Sequence, residues 1–344
     1  MKENKPYDLF RMLLNSILAE ILKVFVKNLK PTFPKNIGDY VFIKPFRKIG
    51  PRKSYELAIY QNKQGKKAIA KMISAKIKSY HYYSLLNEIS IYNTLNSATA
   101  RLKKNIPVQY IDVYIPRFIN TYEDGFRLIS LVEFVEGEVV QNHSAEKKLE
   151  LYIKITSYLN YLGENLTKAE KSQISERKSL NYIVLYPILA VKAVITHPYS
   201  FPYVLKGMVR FLRNIPILLK ESRSSLIHRD LHFKNILKCE NGHALIDFQQ
   251  MVFSEPLHEF ITTLRYFWYG AKRKEFGRLL LSEIIKKNAK RKKFNELFQS
   301  YAINSVTHGL TGSGFSKDII SGWLDFFKFS LNSDFTKFQV KNNI

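Results

Sequence analysis

The run His228-Arg229-Asp230-Leu231-His232-Phe233-Lys234-Asn235, followed twelve residues later by Asp247, constrains this chain more than any other feature. It reads H-x-D-x-x-x-x-N and follows the apolar pair Leu226-Ile227. Between Asn235 and Asp247 lie two short apolar runs, 236–239 and 244–246, with the turn dipeptide Asn241-Gly242 between them. That pattern predicts a β-hairpin. A hairpin brings its open ends together, so Asn235 and Asp247 are expected side by side. One carboxylate to accept the proton of an attacking hydroxyl, with two oxygen ligands for a divalent cation, is the set that phosphoryl transfer requires.

A nucleotide-binding half would lie upstream. Ala68-Ile69-Ala70-Lys71 reads as a strand with one lysine in an apolar, small-residue run, entered through a turn at Gln64-Gly65. Seventeen residues on, Glu88 falls in a segment whose Leu85, Ile89, Tyr92 and Leu95 recur at helical spacing. Glu88 then sits beside the buried stripe, where an unpaired carboxylate is costly. An ion pair with Lys71 answers that cost; the plainer reading is a solvated lysine and a glutamate at the edge of the helix face. The stretch 128–137 reads as a strand running into a hinge, where the backbone of Glu133 and Val135 can meet an adenine ring.

With these residues in order, the chain resembles the protein-kinase-like superfamily. It is most similar to the small-molecule branch that includes aminoglycoside phosphotransferases, choline kinases and lipopolysaccharide (Kdo-type) kinases. The pattern H-x-D-L-H-x-x-N-I-L, with its second histidine at His232, carries the likeness, as does Asp247-Phe248 running into Gln249-Gln250 in place of D-F-G. The resemblance spans roughly residues 38 to 270. It implies that Asp230 is the catalytic base and that Asn235 and Asp247 hold Mg²⁺. By the same likeness Lys71 contacts the phosphates of ATP, Glu88 is its partner, and His228 orients the catalytic loop.

The chain departs from the kinase pattern at one place. Between strands expected at about 40–48 and 55–61, the nucleotide-covering loop Arg47-Lys48-Ile49-Gly50-Pro51-Arg52-Lys53-Ser54 contains the single glycine Gly50 and no G-x-G-x-x-G. Either cations beside Gly50 and Ser54 do the work of glycine amides on the phosphates, or the nucleotide is held loosely or not at all. The second branch is the alternative of a catalytically silent pseudokinase, serving as a nucleotide-binding or membrane-scaffolding module.

Of 344 residues 46% are apolar, which excludes a disordered chain. The single cysteine, Cys239, excludes an internal disulfide and is expected as a small buried hydrophobe in the hairpin. The formal charge of +25 fits an acidic partner, but basic bursts such as Lys290-Arg291-Lys292-Lys293 do not interleave with aromatics in any recognisable nucleic-acid motif. The segment 8–30 is a cationic amphipathic helix ended by Pro31, suited to a membrane interface or to packing on the small lobe. Polar Asn15, Glu20 and Lys23 interrupt it too often for a spanning helix. The apolar stretch 182–195 and amphipathic 203–219 stand where small-molecule kinases insert substrate-binding helices, and read as a substrate- or membrane-facing insert. The tail reads as helices at 257–287, 294–308 and 315–330, broken by Gly309, Gly312 and Gly314, with aromatic residues forming core. No internal repeat, low-complexity tract or Cys/His cluster with metal spacing is present.

The expected architecture is a two-lobed α+β protein-kinase-like fold: an amphipathic helix within 1–37, a small antiparallel-sheet N-lobe at 38–136, and a mainly helical C-lobe at 137–344 with an insert at about 180–220. The expected activity is ATP- and Mg²⁺-dependent phosphorylation of a hydroxyl on a sugar, a lipopolysaccharide-type glycolipid or another small polar molecule. Phosphorylation of a protein ranks lower, because no recognisable activation segment follows Asp247. The expected setting is the cytoplasm, peripheral on an anionic membrane face, with no specific nucleic acid and no protein partner.

Overall fold

The structure is a computed structural model and describes residues 32–46, 55–74, 78, 80–140, 143–268, 271–312, 315–332 and 334–335. The amphipathic segment 8–30 and the loop with Gly50 and Ser54 lie outside the described residues. The chain divides into two compact units. One comprises the described residues of Met1–Gln141, Tyr161–Ser175 and Phe233–Met251; the other comprises those of Asn142–Asn160, Glu176–His232 and Val252–Ile344.

The first unit is built on a six-stranded antiparallel sheet. Its strands are β1 (Asn36–Ile37), β2 (Tyr40–Phe46), β3 (Glu56–Gln61), β4 (Lys67–Ser74), β6 (Phe118–Glu123) and β7 (Arg127–Glu133), in the order β1-β2-β3-β4-β7-β6. In β4, strand alternation puts Ala68, Ala70 and Met72 on one face, where they pack with Ala58, Tyr60, Ile129 and Leu131. Ile69, Lys71 and Ile73 therefore take the other face, and Ile73 joins a cluster with Tyr82, Leu85 and Ile89 of helix α1 (Tyr80–Leu102). The register of β4 thus turns Lys71 toward that helix. On α1, Leu85, Ile89, Tyr92 and Leu95 are buried, and Glu88 is buried with them.

A second, four-stranded sheet of this unit contains the hairpin. Strand β5 (Val113–Tyr114), β8 (Glu138–Val139), β10 (Ile236–Cys239) and β11 (Gly242–Leu245) run in the order β5-β11-β10-β8. Pairing of Ile236 with Leu245 and of Cys239 with Gly242 makes Glu240-Asn241 the two-residue turn, one position earlier than the sequence suggests. The reason is tertiary: Gly242 is the first strand residue, at φ +126°, and a Cβ there would overlap the carbonyl of Asp112, which leads into β5. Cys239 is half-buried rather than buried, and receives a hydrogen bond from the Tyr114 hydroxyl at 3.5 Å.

The second unit is mainly helical. It holds the two-stranded pair β9 (Ser225–Ile227) and β12 (Val252–Ser254), together with 145–160 of α2 (Ala145–Asn165). Its other helices are α4 (Ser179–Thr196), α5 (Phe201–Leu219), α6 (Pro256–Tyr266), α7 (Ala271–Asn288), α8 (Phe294–Leu310) and α9 (Lys317–Asn332), while the short α3 (Lys168–Ser172) belongs to the first unit. Helix α8 is buried along nearly its whole length, and α4, α5, α6 and α9 pack on it. The stretch expected as one helix over 257–287 is two, α6 and α7. At the break the Phe267 ring packs on Phe276 and Trp268 on Phe326 and Phe329, anchors that helical spacing cannot register. Gly309 does not break α8 but lies inside it, because a Cβ there would press on Trp323 and the Arg265 guanidinium. The aromatic residues Trp323, Phe326 and Phe327 are core, as the sequence suggests.

The hairpin supplies a test of this packing. Gly242→Ala forces a residue with a Cβ into positive φ against backbone, and should cost about 2 kcal/mol or more. Gly125→Ala has open space around it and should be close to neutral. Urea unfolding followed by circular dichroism reads both; equal midpoints for the two variants would contradict the close approach.

Candidate functional site

In the first unit one cation is shared by two carboxylates. Lys71 Nζ lies 2.8 Å from Glu88 Oε2 and 2.8 Å from Asp247 Oδ1, and 4.8 Å from the centroid of the Tyr55 ring. Burial disfavours the ammonium charge, but Asp247 and Glu88 together outweigh it and hold the lysine above its ordinary value. Glu88 is 3% exposed, and burial pushes its carboxyl up to about 7 against the pull of Lys71. The Asp247 side chain keeps 38% of its surface exposed. The trio has a formal charge of −1, with its closed side at Glu88 and its open side at Asp247.

Helix α1 also fixes the segment that carries Asp247. Asn87 donates to the Gln249 carbonyl at 3.0 Å, the Phe248 amide donates to Glu88, and the Asp247 amide donates to the Tyr92 hydroxyl. The Tyr92 and Phe248 rings meet edge to face at 4.9 Å. Gln249 Nε2 donates to Asp247 Oδ1 at 2.7 Å. Three consecutive residues are therefore gripped by one helix, and Asp247 is held at φ +67°, a left-handed conformation that a non-glycine residue keeps only when its surroundings impose it. The short 3₁₀ turn Phe248–Gln250 follows directly, in place of the missing glycine. Across the hairpin the Ile246 amide donates to the Asn235 carbonyl at 3.0 Å, so buried Asn235 stands opposite the residue before Asp247.

The second unit holds the other part of the motif. Strand β9 pairs with β12 and delivers the chain into a loop in which His228 is fully buried and Arg229 is left-handed at φ +63°. Glu259 of α6, 2% exposed, clamps that loop: the Arg229 amide donates to Glu259 Oε2 at 2.5 Å, and the Leu231 amide also donates to this carboxylate. Both amides flank Asp230. Thr263, one helical turn on, donates to the Leu231 carbonyl at 3.1 Å and accepts from Tyr152 of α2. The Tyr266 hydroxyl is hydrogen-bonded to Asp230 and to Arg265, and burial followed by the Asp230 charge raises it above the usual tyrosine value. His232 Nε2 lies 3.8 Å from Asp230 Oδ2.

Of the residues singled out in the sequence, Lys71, Glu88 and Asp247 come together in one cluster, with Asn235 at the base of the same hairpin. Asp230 and His228 lie on the clamped loop of the other unit. Glu133 ends β7, and its amide donates to the Arg117 carbonyl; Val135 follows, half-buried, outside the strand. Gly50 and Ser54 lie outside the described residues. Sequence reasoning missed Asn87, Gln249, Glu259 and Tyr266. Glu259 carried no local signal, since it lies two residues from both Leu257 and Ile261 and so about 160° around the helix from their apolar face.

Asn235 and Asp247 offer an amide and a carboxylate oxygen, the hard donors that Mg²⁺ accepts when phosphates supply further ligands. Among the described residues no group of three or more His, Cys, Asp or Glu side chains is placed to hold a metal ion.

The buried clamp predicts a pH signature. Glu259 is pushed up to about 7 from an ordinary 4.5, by burial first, so the folded chain retains a proton there that the unfolded chain releases. Stability contributed by this group is complete below 4.5 and is lost as pH rises through about 7. Glu259→Gln does not titrate, so its stability relative to wild type should improve between about pH 5 and about pH 8. Denaturant unfolding of both chains at the two pH values measures this; a constant gap would contradict the buried, protonatable clamp.

No curated protein sequence matches the chain. Solved structures similar to it include a thermostable mutant of the aminoglycoside phosphotransferase APH(4)-Ia in ternary complex with AMP-PNP and hygromycin B, at 10% identity and TM-score 0.57 over 85% of this chain and 94% of that one. Another is the amicoumacin kinase hAmiN in complex with AMP-PNP, Ca2+ and Ami, at 11% identity and TM-score 0.51 over 96% and 100% of the two chains. These likenesses give the α+β kinase-like fold, with an antiparallel sheet toward the N-terminus and helices toward the C-terminus. The family model described as the phosphotransferase enzyme family matches residues 98–283, more than half of the chain. On that match this protein belongs to the phosphotransferase enzyme family.

Proposed function

We propose that this phosphotransferase moves the γ-phosphoryl group of ATP, with Mg²⁺, to a hydroxyl of a small polar acceptor such as a sugar or a glycolipid. The observation that carries the reading is the trio of Lys71, Glu88 and Asp247, with one ammonium for two carboxylates at 2.8 Å each. Buried Glu88 holds the lysine charged and in place, and Asp247 keeps an open side with one negative charge in excess. Such a site draws a divalent cation, and Lys71 is then placed to pair with the phosphates. Bound Mg²⁺ would neutralise the charge that develops on the phosphates, and Asp247 and Asn235 are the residues that would hold it. AMP-PNP in both structural neighbours, and Ca2+ in one, support a nucleotide with a divalent ion.

Asp230 is the group assigned to accept the hydroxyl proton of the acceptor. Its place is fixed by hydrogen bonds that the backbone amides on both sides of it donate to Glu259, and its carboxylate is met by the Tyr266 hydroxyl. That hydrogen bond holds the Asp230 carboxylate in one orientation, as a group that takes a proton from a bound hydroxyl requires. Buried His228 shapes the loop behind it. The backbone at Glu133 and Val135 is assigned to adenine, and Gly50 and Ser54 to the phosphates, by resemblance to the superfamily.

Asp230→Asn keeps the shape of the side chain while removing the base. It should leave Mg·ATP affinity within about twofold and lower phosphotransfer by roughly 10²–10⁴-fold. The assay is transfer from radiolabelled ATP in a panel of sugars, glycolipid cores and aminoglycosides. Transfer by the variant at the wild-type rate would remove Asp230 from the reaction. No transfer by the wild type, together with no ATP binding, would favour the silent-module alternative.

A further inference from the structure

Helices α4 and α5 of the second unit each carry two apolar faces, of which the protein buries one. The ring of Tyr186 stacks on Phe211 at 4.3 Å, and these residues lie twelve and eleven residues from the connecting turn Pro198–Ser200, so the two helices run antiparallel. Tyr182, Tyr186, Ala190 and Ala193 form the buried side of α4, and Val204, Gly207, Phe211, Asn214 and Leu218 that of α5. Asn214 is tied to Glu296 and Ser300 of α8, which fixes that side inward.

The opposite sides face outward and are as apolar as the inner ones. On α4, Leu180, Val184, Ile188, Val191 and Ile195 are exposed, Val191 by 62% and Ile195 by 74%. At 3.6 residues per turn these five fall within about 80° of arc, across the helix from Tyr186. On α5, Phe201, Leu205, Val209 and Leu212 are exposed and share a similar arc. Cations border this strip: Lys206, Arg210 and Arg213 of α5, with Lys220 at its C-cap, occupy the next about 80° of arc. From Ser179 to Lys220 there are five Lys and Arg residues, all exposed, and no Asp or Glu. A helix apolar all round belongs in a core or in lipid, and here the described residues cover one side alone.

We propose that the outer face of α4 and α5 docks on an anionic lipid surface. The strip would sink into the acyl boundary while its border of cations meets acidic headgroups, the charge layout of an interfacial helix pair. Helix α4 is long and apolar enough to cross a bilayer by composition. Its Tyr186 side is committed to Phe211, so it lies along the surface and does not cross. A second copy of the chain is a poorer occupant, because self-docking through this face would set two faces of five cations each, with no acid between them, together. The proposal stands apart from the phosphotransfer reading, since it needs neither nucleotide nor acceptor.

Vesicle flotation of the full chain tests it, with phosphatidylcholine vesicles and with vesicles containing an added third of phosphatidylglycerol. Wild type should float with the anionic vesicles alone, and less so at high salt. Two variants separate the contributions: Val184→Gln/Val191→Gln/Leu205→Gln/Leu212→Gln removes the apolar strip, and Lys206→Glu/Arg210→Glu/Arg213→Glu reverses its border. Each should retain the wild-type circular dichroism and melting curve and lose about tenfold or more in vesicle binding. Should the apolar variant prove poorly folded, the charge variant decides alone, because its three positions are exposed. The proposal is overturned if wild type does not float, if it floats equally with neutral vesicles, or if folded variants float as wild type does. It is also overturned if light scattering shows a wild-type dimer that the apolar variant dissociates while flotation is unchanged.

Discussion

A lysine held between two carboxylates ties strand, helix and hairpin of the first unit together. Lys71 is brought to Glu88 by the alternation of β4, whose small residues Ala68 and Ala70 let the sheet close on its other face. It meets Asp247 because α1 grips the backbone after the hairpin. The pairing is not symmetrical. Removing Lys71 would strand a carboxylate that is 3% exposed, a cost of several kcal/mol for a buried charge left alone, or else would protonate it. The elevated Glu88 carboxyl, at about 7, already reflects that balance between burial and one shared cation. Glu88 is therefore the structural member, and Asp247 the member with surface left to offer.

A parallel arrangement in the second unit holds Asp230. There a buried carboxylate, Glu259, receives backbone amides from both neighbours of Asp230, and the Tyr266 hydroxyl meets Asp230 itself. Each unit thus uses a buried acid on a helix to immobilise a segment that carries a half-buried one, and each segment contains a left-handed non-glycine residue, Asp247 or Arg229. Strain of this kind, of order 1–3 kcal/mol each, persists where surroundings over-determine the backbone. Both strained residues lie within or beside the functional motif.

How much of this was legible in the sequence follows from the range of the interactions. The hairpin, the strand with Lys71 and the helix with Glu88 rest on local periodicity, which can be read directly. The turn moved by one residue because the Gly242 conformation is set by Asp112, far away in sequence. The grip of Asn87 and Tyr92 on 247–249 spans more than 150 residues and leaves no local pattern. Glu259 lies across the helix from Leu257 and Ile261, and its partners, the amides of Arg229 and Leu231, are about thirty residues away, so no local pattern marks it. The break between α6 and α7 depends on where Phe267 and Trp268 find partners, which propensity does not encode.

The proposed role of the trio is to receive a metal-bound nucleotide. Calorimetric titration of Mg·ATP into wild type and into Asp247→Ala addresses this directly. Wild type should bind in a metal-dependent manner. The variant should lose about tenfold or more in affinity, the scale of one charge-assisted contact of about 1.5 kcal/mol, and its residual binding should no longer respond to Mg²⁺. Equal affinity and equal metal dependence in the two chains would contradict the assignment of Lys71, Glu88 and Asp247 as the nucleotide site.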